Sequence, residues 1–135
     1  MKSPKSTIVT TVAIIALAGT WGMDLNAQQP GFKRTPLQKQ DIRVEGREAV
    51  VALAEFAPGG AVGKHTHPGE ELGYVVEGTL LLEVEGKPPL TLKAGEVFFV
   101  EAGRVHDGKN IGAGSAKVLA TYVVEKGKPV ATPVK

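Results

Sequence analysis

The 135-residue chain has three histidines and no cysteine, so its chemistry rests on imidazoles, carboxylates and hydroxyls. His65 and His67 are two residues apart, and in a strand that spacing turns both rings to one face. Pro68-Gly69 then turns the chain, and Glu70 and Glu71 follow at the head of the next apolar run, where a carboxylate can swing back beside the rings. His106 follows the turn Glu101-Ala102-Gly103, just after Val97-Phe98-Phe99-Val100, and a closed barrel brings it to the same interior face. Three imidazoles and one carboxylate form a mixed nitrogen and oxygen donor set. Such a set suits one divalent transition ion (Fe, Mn, Ni, Co, Cu or Zn) and not Ca or Mg, which prefer oxygen shells.

The elements that must carry these residues read as strands. Runs rich in Val, Leu, Phe and Thr recur at Asp41 to Glu45, Ala49 to Ala57, Lys64 to His67, Leu72 to Glu77, Thr79 to Glu85, Leu90 to Leu92, Val97 to Val100 and Lys117 to Glu125. Gly and Pro punctuate them, no run suits a long helix, and there is no tandem repeat. The pattern predicts an all-β barrel or sandwich in a single domain over residues 41–127. By alternation, one of Phe98 and Phe99 faces the core and the other faces out. Residues 28–40 lack apolar periodicity and read as an N-terminal arm, flexible or docked elsewhere, and residues 128–135 read as a surface tail.

The first 27 residues have the layout of a signal peptide. Lys2 and Lys5 give a positive start, Ile8 to Ala18 is an uncharged, mostly apolar run, and Leu25-Asn26-Ala27 offers a cleavage site, leaving Gln28 first. The apolar run is short of the roughly 20 residues a membrane helix needs, so the expectation is a periplasmic or secreted protein without stable membrane insertion after cleavage. Sixteen Lys and Arg against fourteen Asp and Glu, scattered along the chain, give a formal charge of +2 and no footprint for nucleic acid.

At the histidines the sequence resembles the cupin superfamily. The pattern G-x5-H-x-H-x3-E-x6-G is met by Gly59, His65, His67, Glu71 and Gly78, and G-x5-P-x-G-x2-H-x3-N by Gly95, Gly103, His106 and Asn110, with Glu101 where the family usually has Pro. The resemblance implies a double-stranded β-helix, or jelly-roll, barrel with His65, His67, Glu71 and His106 as metal ligands. By its spacing it favours Glu71 over Glu70, which then reads as a solvated turn residue. It also implies a small-molecule ligand or substrate and a homodimer, since small cupins commonly pair through their sheets. Its activities include dioxygenases, isomerases, lyases and decarboxylases as well as proteins that only bind a ligand. The first expectation is a metal-dependent, oxygenase-like enzyme; the alternative is a non-catalytic, metal-dependent binding module.

Overall fold

A computed structural model describes residues 29–135, and the expected signal peptide lies outside them. Ten strands follow in chain order: β1 (Phe32–Asp41), β2 (Arg47–Phe56), β3 (His65–Thr66), β4 (Gly69–Glu77), β5 (Thr79–Val84), β6 (Leu90–Lys93), β7 (Val97–Val100), β8 (His106–Asn110), β9 (Ala116–Glu125) and β10 (Thr132–Pro133). One five-stranded sheet runs β1-β2-β9-β4-β7 and the other β10-β3-β8-β5-β6, with every pairing antiparallel. Their inner faces supply the core. Glu48, Val50, Ala52, Ala54 and Phe56 of β2 alternate with half-buried neighbours, and Ala116, Val118, Ala120, Tyr122 and Val124 of β9 alternate with neighbours that are half-buried or, at Leu119, exposed. Alternation of this kind places one row of side chains in the interior and the other outside. Among the described residues no helix is long and apolar enough to cross a membrane.

The all-β double-stranded barrel agrees with the sequence reading, but its strand boundaries need correction at both ends. The segment expected as an arm is β1, paired with β2 from Phe32↔Phe56 to Asp41↔Glu48. The strand expected over Asp41 to Glu45 is instead largely the connection to β2, with Gly46 at φ 72°. β1 escapes pattern reading because it is an edge strand whose only buried residue is Phe32. Pro36 is tolerated at such an edge, where the register shifts between Pro36 and Gln38. The C-terminal tail is also more than surface: Ala131 is buried, and Thr132 and Pro133 pair with Thr66 and His65. β8, which carries His106, has charged and polar residues at most positions and offers no apolar run to find.

Two local devices hold the sheets in place. Gly78, at φ 81°, takes the chain from β4 in one sheet to β5 in the other, and a Cβ there would lie 2.5 Å from the Ser115 carbonyl oxygen. Asn110 is fully buried and uses its side-chain amide in full. Its Nδ2 donates to the carbonyls of Phe56 (3.3 Å), Ala57 (3.1 Å) and Gly114 (2.8 Å), while its Oδ1 accepts from the Gly112 N–H at 2.9 Å. Loss of the amide leaves several of these groups without partners in a dry place. Asn110→Ala is expected to lower the unfolding free energy by about 2–4 kcal/mol, seen as a lower urea midpoint with an unchanged slope.

Candidate metal centre

The two sheets meet around a polar cluster at one end of the apolar interior. His65 on β3 pairs directly with His106 on β8, which sets their rings side by side with centroids 4.2 Å apart and planes tilted by 49°. His67, just past β3, closes the triangle at 4.8 Å from His65 and 4.9 Å from His106. All three are buried, and their candidate ligand atoms lie within 4.8 Å of one another. Glu71 enters from the opposite sheet on β4, whose alternation turns Gly69, Glu71, Gly73 and Val75 inward and leaves Glu70 only half-buried on the other face. The Glu71 Oε2 atom lies 3.1 Å from Nε2 of both His67 and His106.

The hydrogen bonds behind the rings define what the front can do. Nδ1 of His65 donates to the Gly63 carbonyl at 2.7 Å, Nδ1 of His106 to the Arg104 carbonyl at 2.8 Å, and Nδ1 of His67 to the Val130 carbonyl at 2.5 Å. A carbonyl only accepts, so each Nδ1 carries hydrogen and each neutral ring offers its lone pair at Nε2. Two such lone pairs then face one Glu71 oxygen at hydrogen-bond distance. Electron pairs in that arrangement repel unless a proton or a metal ion lies among them, and one cation serves the whole set where one proton serves a single pair. The donor chemistry therefore fits a divalent transition ion.

Electrostatics point the same way. Burial, then the neighbouring His106 and His67, lowers the His65 pKa to about 3, which keeps this ring neutral and able to ligate. Burial opposes the charge on Glu71, yet positive charge and hydrogen bonding at His106 and His67, present when a proton occupies their Nε2 face, outweigh it and hold its carboxyl well below the usual range. Tyr122 stands opposite Glu71 in register, with its ring 4.7 Å from that of His67. Burial and the Glu71 charge push its hydroxyl up, so the phenol stays protonated. Phe98 closes the floor by lying across Gly73, where a Cβ would fall 2.1 Å from its ring, while Phe99 points outward. Glu101, in the family's usual proline position, accepts from Lys87 at 2.6 Å, and the Arg104 N–H bonds the Glu101 carbonyl to close the turn before His106.

Sequence reasoning missed Tyr122 and Val130. Tyr122 sits in a run that reads simply as core, and the Val130 carbonyl acts 63 residues away from His67, with no local signal. The acceptors for His65 and His106 follow a shared local rule, since each lies two residues before its histidine.

The cupin-domain family model matches residues 52–122, and the chain belongs to that family. It is 36% identical over 87 residues to the beta-alanine degradation protein BauB of Pseudomonas aeruginosa, covering 61% of this chain and 88% of that protein. It is 32% identical over 89 residues to the oxalate-binding protein of Thermotoga maritima, covering 65% and 71%. Against germin-like protein subfamily 2 member 2 of Arabidopsis thaliana it is 39% identical over 77 residues, covering 53% of this chain and 35% of that protein. The chain thus matches about a third of that germin-like relative's length. Among solved structures, recombinant oxalate oxidase in complex with glycolate superposes with a TM-score of 0.63 at 23% identity, over 80% of this chain and 57% of that one. That likeness is one of fold.

The neutral His65 gives a signed pH dependence for the chelator-treated protein. Its folded pKa is depressed below the ordinary 6.5, so between about pH 6.5 and 3 the unfolded chain binds a proton that the folded chain does not. Stability is therefore lost as pH falls through that window, and Glu71, held low in the fold, acts with the same sign on acidification. Urea unfolding of chelator-treated protein is expected to weaken by roughly 3 kcal/mol between about pH 7 and pH 4.

Proposed function

We propose that the barrel holds one divalent transition-metal ion on His65, His67, Glu71 and His106 and works as an exported, oxygenase-like enzyme on a small oxygen-bearing organic substrate. The observation that carries this reading is the convergence of three carbonyl-anchored imidazoles and one ionised, buried carboxylate on a single point between the sheets. When bound on His65, His67, Glu71 and His106, the ion would supply a Lewis acid for a substrate oxygen or dioxygen. Glu71 brings the only negative charge of the set, and Tyr122 offers a protonated phenol beside it. The family match supports the metal-binding part, while oxidation rests on the cupin resemblance and on the fold shared with an oxalate oxidase. Export rests on the order of charged, apolar and small residues in the first 27 positions.

A second reading, a non-catalytic binding module, is favoured by the likeness to a protein described as oxalate-binding. Metal content and oxygen uptake separate the readings. Elemental analysis is expected to find about one transition ion per chain, lost when His65, His67 and His106 are together replaced by Ala and released as pH falls below roughly 6. Glu71→Gln keeps much of the ion on the three histidines but lowers metal-dependent oxygen uptake with small phenols, keto acids or enols steeply, whereas Glu70→Gln changes neither. Full metal with no turnover of any such compound selects the binding module, and a metal-free wild type overturns both readings.

We also infer a homodimer. Leu72, Tyr74, Val97, Phe99 and Leu119 are exposed on the outer face of β4, β7 and β9, and the register sets Leu72 opposite Phe99 and Tyr74 between Val97 and Leu119. A contiguous apolar face of this kind is buried when a two-fold copy packs on itself. Sedimentation at micromolar concentration is expected to give a dimer for the wild type and a monomer for Phe99→Glu, with metal content unchanged.

A further inference from the structure

Two cavities adjoin the histidines, and Arg34 belongs to both. The inner one, about 30 Å³, is lined by His65, Glu71, His106, Phe98 and Tyr122 and has room for an ion or a single water. The outer one, about 250 Å³, opens between β1, β2 and the C-terminal tail. Arg34, Val62 and His65 line both, so these side chains form the boundary between a metal-sized space and a small-molecule-sized one. The charged side chains on the outer cavity are Arg34 and Lys64, and among the described residues no acid lines it.

Arg34 itself is poised without an anion. Its guanidinium carbon lies 5.2 Å from the centre of the Phe32 ring and 5.7 Å from that of Tyr122, within cation–π range of both. Its Nε is buried without a hydrogen-bond partner, and among the described residues no carboxylate forms a salt bridge with it. A cation placed in this way at the edge of an apolar interior costs free energy that a paired anion recovers. The guanidinium fork matches a carboxylate through two parallel N–H donors. Arg34 lies outside residues 52–122, which the cupin-domain model matches.

We propose that the outer cavity is the substrate chamber and that Arg34 is its carboxylate anchor, so that the ligand is a small organic acid held between Arg34 and the metal position beside His65. The inference rests on the metal-site reading above. The acid's carboxylate accepts from the Arg34 fork, its short carbon body lies against Phe32, Val50 and Val62, and a second oxygen reaches past His65.

The test uses the whole chain loaded with Co(II), whose visible absorption reports the metal shell independently of turnover. Pyruvate, succinate and the uncharged ester methyl pyruvate are titrated by calorimetry and by absorption. At least one acid is expected to bind and perturb the Co(II) spectrum. Pyruvate is expected to bind more tightly than its ester. Arg34→Met is expected to weaken acid binding by about 10- to 100-fold, with cobalt content and ester binding unchanged. Arg34→Lys recovers part of the loss, because it keeps the charge and loses the fork. Equal acid affinity in Arg34→Met, or loss of cobalt in that variant, overturns the anchor. So does a cobalt-loaded wild type that binds neither acid, or that binds the ester as tightly as pyruvate, and this comparison needs no variant to fold. A wild type that takes up no cobalt instead overturns the metal-site reading, and the anchor falls with it.

Discussion

Every other property of the centre depends on three hydrogen bonds that face away from it. By donating Nδ1–H to the carbonyls of Gly63, Arg104 and Val130, the three imidazoles lose their freedom of tautomer and rotation together. What is left at Nε2 is a convergent set of lone pairs, and the ionised Glu71 oxygen among them completes a hole for positive charge. Each of these carbonyls lies two residues before a strand, Gly63 before β3, Arg104 before β8 and Val130 before β10, so the start of a strand fixes each one. The apolar residues around it, Phe56, Leu80, Leu82 and Val118, keep water away and strengthen each electrostatic contact.

The parts of the site that could be read from the sequence were those with local rules. The two-residue spacing put the rings of His65 and His67 on one face, the motif spacing chose Glu71 over Glu70, and glycines marked the turns. His106 was placed by its motif, even though β8 has no apolar pattern. What could not be read was whatever depends on one strand meeting another far along the chain. Arg34 sits in a stretch with only Phe32 buried, because an edge strand turns most of its residues to solvent and leaves no alternation to detect. Tyr122 could be read only as core: in an inward row of Ala, Val and Ala, nothing local shows that this particular position lies opposite a carboxylate.

The barrel also separates its tasks by strand. The histidines lie on or beside short strands of the smaller-stranded sheet, where β3 has two residues and β8 has five. The ten-residue strands β1, β2 and β9 form one continuous antiparallel block in the other sheet. Long ladders give that block its rigidity, and it carries Glu71 by way of β4, paired residue for residue to β9 from Gly69↔Val124 to Val75↔Val118. Side chains reaching inward from a stiff wall can then meet rings whose own strands are too brief to be stable alone.

The bond from His67 to Val130 ties the geometry of the centre to the order in which the chain is made. A polypeptide that emerges N-terminus first presents His65, His67 and His106 some two dozen residues before the carbonyl that aims the second of them. At about 5–20 residues per second that interval is on the order of one to five seconds. Alignment of all three rings thus waits for the segment just before β10, the last part of the fold to be made.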